Sequence, residues 1–138
     1  MMICGADTRL SAGELSEGDM KIRLAGIDWS FVSKKLSTKG FSDERIQKVM
    51  AEYHKFLILF GIVGKSVELS PWGELDKAWH EHVLHTTKYR KDSLHLFDCF
   101  LEHNPEIELG SERNLKNTEA TRQEYEKYFK EPMPEYVE

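Results

Sequence analysis

Five of the 6 histidines in this 138-residue chain, His80, His82, His85, His95 and His103, fall within residues 80–103. Neutral imidazole is the commonest metal-binding side chain, and a cluster of this density points to metal chemistry. A helix turns about 100° per residue, so side chains four apart share a face. Asp76 and His80 are four apart and can offer one ion a carboxylate and an imidazole. His82 lies two residues beyond His80 and points away from it, on an arc shared with Trp79, Thr86 and Tyr89. A metal site needs three or four ligands. His103, at the expected end of the following helix, is the natural third. Two histidines and one carboxylate hold iron in non-haem oxygenases and zinc in hydrolases. The expected cofactor is therefore a divalent metal, zinc or iron, on Asp76, His80 and His103. Trp79, His82 and Tyr89 are expected to pack behind those ligands or to wall a pocket. The same residue types admit a second reading, in which the His, Trp and Tyr side chains form a buried hydrogen-bond network that locks two helices together. The function is then a non-enzymatic protein-interaction module. Neither reading settles whether the protein is an enzyme.

Other chemistries find less support. Gly61 to Ser66 spells GxxGKS, two residues short of a phosphate-cradling loop. Cys99 stands among Phe97, Phe100 and Leu101 and is expected as a buried, reduced thiol of raised pKa. The net charge of -5 argues against a nucleic-acid partner, although Lys34, Lys35 and Lys39 form one local basic cluster and Lys88, Arg90 and Lys91 another. A small molecule or a protein is the expected partner. The longest apolar run, residues 56–63, is far short of the roughly 20 residues that span a bilayer, so no membrane partner is expected. With no basic and apolar leader pattern and too few cysteines for a disulfide framework, a cytoplasmic address is expected.

The elements that must position these residues read as helices. Ile46, Val49, Met50, Tyr53, Phe56, Leu57 and Phe60 recur at helical spacing after Ser42, a good N-cap. Asp28 precedes a shorter stripe of Trp29, Phe31, Val32 and Leu36 that Gly40 ends. Ser70-Pro71 opens a helix expected to run from about residue 72 to 90. Asp92 caps the next, which Asn104-Pro105 ends. A last helix spans residues 118–130. The chain is thus expected to be all-α, a single-domain irregular bundle of four to five helices. Residues 1–26 form a loosely structured lead, residues 27–130 the helical domain and residues 131–138 a tail.

Asp76, Trp79-His80-Glu81-His82-Val83-Leu84, Thr86, Tyr89, Asp92 and His103-Asn104-Pro105 resemble the shared core of the bacterial members of the glycine-rich domain-containing protein-like family. The resemblance covers about half of the chain, with Ser93 where many members carry cysteine. It implies a helical fold of undefined activity, with Asp76, His80, His82 and His103 as the positions of interest.

Overall fold

The computed structural model describes residues 2–4, 15–64, 66–103 and 111–134. Among them are six helices, more than the four to five expected, and one short antiparallel ribbon. The helices are α1 (Glu17–Ala25), α2 (Ser30–Thr38), α3 (Asp43–Val63), α4 (Leu75–Leu84), α5 (Thr86–Phe97) and α6 (Glu112–Phe129). Strand β1 (Met2–Cys4) pairs with β2 (Leu101–His103), with Met2 opposite His103.

Helix α3 is the spine. Ser42 accepts a hydrogen bond from the Arg45 amide (3.2 Å), and Asp43 and Glu44 occupy the first turn, where the helix dipole favours negative charge. Its apolar residues crowd inward until, from Phe56 to Phe60, every side chain is buried. Helices α1, α2 and α4 pack against this spine. Helix α1 starts with a reciprocal cap between Ser16 and Asp19 and sends Met20 and Leu24 into the core, within the lead expected to be only loosely structured.

Helix α6 is polar over most of its surface and is fastened differently. Its Thr121 hydroxyl accepts the Ser70 amide (2.8 Å), and its Tyr125 ring meets Trp72 edge to face at 4.9 Å. Its side-chain cap is Ser111, which accepts the Asn114 amide, so the helix expected over residues 118–130 starts six residues earlier, at Glu112.

The region expected as one helix over residues 72–90 is two. The chain breaks at His85 (φ -88°, ψ 73°), which closes α4 and opens α5. Asp92 therefore lies inside α5 and does not begin a helix. Helix α5 stops at Asp98, which takes the left-handed conformation (φ 58°) that Asp and Asn tolerate better than most residues. His103 accordingly sits in β2 and not at a helix end.

Cys99 is buried and disulfide-bonded, which overturns the expectation of a reduced thiol there. It also removes the reduced-cysteine argument for a cytoplasmic address. Among the described residues, no helix is long and apolar enough to cross a membrane.

One backbone contact sets how close α1 and α3 come. Gly61 on α3 has no side chain, and a Cβ there would lie 2.4 Å from the Met20 sulfur and 2.7 Å from its Cγ. Its carbonyl also accepts the Leu15 amide (3.1 Å). Gly61→Ala gains roughly 1 kcal/mol of helix propensity but overpacks a buried contact at a cost of about 1–3 kcal/mol. The expected net effect is destabilisation, read as a lower denaturant midpoint, and the same substitution should cost less when it is made in a Met20→Ala background, whose own cavity cost is measured separately.

Candidate functional site

His82 is the centre of the site. It lies in α4, 1% exposed, and both ring nitrogens are engaged. Nε2 is 2.8 Å from Asp92 Oδ2 on α5, and Nδ1 is 2.8 Å from the Tyr53 hydroxyl on α3. A carboxylate only accepts, so Nε2 carries the proton and donates to Asp92. Nδ1 then accepts from the Tyr53 hydroxyl. Asp92 is held in turn by Lys88, one helical turn earlier, at 3.0 Å. Four aromatic rings enclose the imidazole, all meeting it at steep angles: Trp29 (5.2 Å), Phe31 (5.6 Å), Tyr53 (5.9 Å) and Tyr89 (4.9 Å).

A parallel chain of bonds runs beside it. Trp79 Nε1 donates to the Tyr89 hydroxyl (3.1 Å), and that hydroxyl donates to the Leu101 carbonyl of β2 (2.8 Å). Trp79, His82 and Tyr89 thus sit together in one buried cluster that joins α4, α5 and β2.

The break at His85 makes this geometry available. His82 and Asp92 are ten residues apart, as are Trp79 and Tyr89. In one continuous helix each pair would be separated by about 15 Å along the axis. Folding α5 back against α4 brings both pairs into hydrogen-bond contact. Asp92, Tyr53, Trp29 and Phe31 were not expected as parts of the site. The signals for them were the repeated spacing of ten and the inward faces of α2 and α3.

The expected metal set fares differently. His80 is exposed on α4, and Asp76 is half-buried one turn before it. The side chain of His103 lies outside the described residues. Among the described residues, no group of three or more His, Cys, Asp or Glu side chains is placed to hold a metal ion. The opposite phases of His80 and His82 explain this: the buried one is committed to protein partners, and the exposed one faces solvent. His85 lies beside Phe31 (5.2 Å), and His95 Nε2 donates to the Arg23 carbonyl (2.9 Å). His54 is half-buried under Trp29 (4.7 Å).

Burial governs the electrostatics. It holds the His82 pKa below the ordinary 6.5, and the Asp92 hydrogen bond restores only part of the difference. It drives the Tyr53 hydroxyl well above its usual pKa and raises Tyr89 as well. At neutral pH the ring of His82 is therefore neutral and both phenols keep their protons.

A family model described as UCP032817-like matches residues 29–131, the span of α2 to α6. No curated protein and no solved structure matches. This match replaces the resemblance to the glycine-rich domain-containing protein-like family, for which it brings no glycine-rich domain evidence.

A pH dependence follows from the neutral, buried His82. As pH falls, the unfolded chain takes up its proton at about 6.5 while the folded chain resists to a lower pH. Stability is therefore full above that value and is lost as pH falls through it toward the folded pKa, by at most about 1.4 kcal/mol per pH unit for one histidine. His54, also lowered by burial, contributes with the same sign. Urea midpoints at fixed ionic strength between about pH 7.5 and about pH 5 should decline. His54→Leu should remove its share and leave a residual slope from His82. A flat profile in the His54→Leu variant would contradict the assignment.

Proposed function

This chain belongs to the UCP032817-like family, an uncharacterised one, and we propose that it is a non-enzymatic, helical interaction module whose Trp-His-x-His segment is a structural lock. One observation carries the reading: the His82 imidazole has both nitrogens hydrogen-bonded to protein groups at 2.8 Å and is 1% exposed. A general base or a metal ligand needs a lone pair within reach of a substrate or an ion. The accepting nitrogen of His82 has spent its lone pair on Tyr53.

The neighbouring groups are also suited to holding rather than reacting. Tyr53 is 0% exposed and keeps its proton to high pH. Asp92 serves two donors, His82 and Lys88. A buried network in which each member has a partner specifies one arrangement of its helices, because any other leaves a polar group unsatisfied. Here the arrangement is that of α3, α4, α5 and the segment carrying β2. Binding then falls to the surface that this frame holds rigid.

The test compares a buried histidine with an exposed one. His82→Ala leaves Tyr53 and Asp92 without their partner and opens a cavity, and should cost about 3 kcal/mol. His80→Ala should stay within about 0.5 kcal/mol of the parent chain. Both costs, from urea unfolding of protein purified without a histidine tag, should be the same with a chelator as with added zinc or iron. Stoichiometric metal in the purified protein, together with a metal-dependent gain in melting temperature that His80→Ala abolishes, would sink the proposal.

A further inference from the structure

Resting on the interaction-module reading, we infer that the groove between α2 and the α4–α5 junction binds an acidic segment of a partner protein, with one apolar side chain of that segment seated on Phe31 and Leu84. The groove has a volume of about 430 Å³ and is lined by Phe31, Lys35, Glu81, Leu84, His85 and the pair Thr86-Thr87. It lies directly over the lock, because the Phe31 ring that forms its floor also packs on His82.

Charge identifies the occupant. One member of each basic cluster is placed here: Lys35 lines the groove, and Lys88 lies over the Phe31 ring. Lys34 and Lys35 follow Phe31 by three and four residues on α2, which places them on its face. On the opposite wall, Lys88 Nζ lies 5.1 Å from the Phe31 ring, and Lys91 follows Thr87 by four residues. The carboxylates beneath are already committed, Glu81 to Lys39 and Asp92 to Lys88. Among the described residues, no carboxylate pairs with Lys34, Lys35 or Lys91, and all three are exposed. A local positive rim thus stands on a chain whose net charge is -5.

The apolar part of the ligand follows from the floor. Leu84 is 61% exposed and lines the groove together with the half-buried Phe31. One aliphatic or aromatic side chain placed on both would remove that surface from water.

The same balance favours a peptide over a nucleic acid. A long polyanion feels the acidic remainder of the molecule, and its affinity depends on many phosphate contacts. A short acidic segment stays within about 8 Å of the lysines, inside the screening length at physiological salt. Glutamate side chains on either side of an apolar anchor match the two lysine walls and the floor between them.

The probe is a glutamate-rich peptide with a central leucine, titrated into the isotope-labelled, full-length chain and followed by NMR. Shifts should saturate and concentrate on Phe31, Lys35, Leu84 and residues 85–87. Lys35→Glu with Lys91→Glu should weaken binding at least about tenfold, as should raising salt several-fold. Replacing the central leucine by serine should weaken it by about 10-fold, the value of one buried side chain. Both lysines are exposed, so the double variant should melt with the parent chain, which separates lost binding from lost folding. No shifts at millimolar peptide, shifts elsewhere on the surface, or undiminished binding to the double variant would overturn the inference. So would tighter binding of a single-stranded oligonucleotide in the same groove. Any of these results leaves the lock itself standing, since that is judged by the unfolding of His82→Ala.

Discussion

A buried imidazole must find partners for two nitrogens of opposite character, and at His82 that requirement orders the molecule around it. One nitrogen donates and needs an anion or carbonyl. The other accepts and needs a hydroxyl or amide. Asp92 meets the first from α5 and Tyr53 the second from α3. Because each bond is directional, the two fix the position of α4 between its neighbours more narrowly than apolar contact alone does. Four surrounding rings exclude water, which strengthens the bonds and makes the loss of either one costly.

This lock and the second chain of bonds through Trp79, Tyr89 and Leu101 share the same origin in the break at His85. They differ in what they tie down. The His82 bonds join helices to each other. The Tyr89 hydroxyl reaches a backbone carbonyl of β2 and so places a non-helical segment. Two helices that meet through paired polar contacts, flanked by Leu75, Ala78 and Leu96 in the core, combine directional and non-directional packing along one seam.

Helix α3 was legible in the sequence because seven large apolar residues repeat at helical spacing behind a serine cap. The stripe stops at Phe60, whereas the helix runs on through Gly61 to Val63. The phase argument that separated His80 from His82 was equally local, and the structure places one outside and the other inside. The His85 break was not legible. No glycine or proline marks it, and its backbone angles are selected by what Asp92 and Tyr89 reach once α5 turns back. The following helix, read as running from Asp92 to Asn104-Pro105, put His103 at its end and suggested a three-ligand metal set, which the described residues do not provide. Helix α1 was faint for a related reason. Only Met20 and Leu24 point inward, and what holds the helix is the close approach at Gly61, a contact between residues some forty positions apart. Asp92 lay within the quoted core pattern, but its role depends on a contact ten residues back, a spacing that belongs to neither helix nor strand.

The ribbon of β1 and β2 carries a consequence for the order in which the chain becomes itself. Met2 pairs with His103, a separation of 103 − 2 = 101 residues. At a synthesis rate of roughly 5–20 residues per second, the first strand waits on the order of 5–20 s for its partner to be made. Helices α1 to α5 are complete before that partner exists. The seam between α4 and α5, built from contacts ten residues apart, can close as soon as α5 is made, whereas the ribbon must bring together the ends of a loop of about a hundred residues. The N-terminal strand is therefore made before every helix, yet can be paired only after α5 is complete.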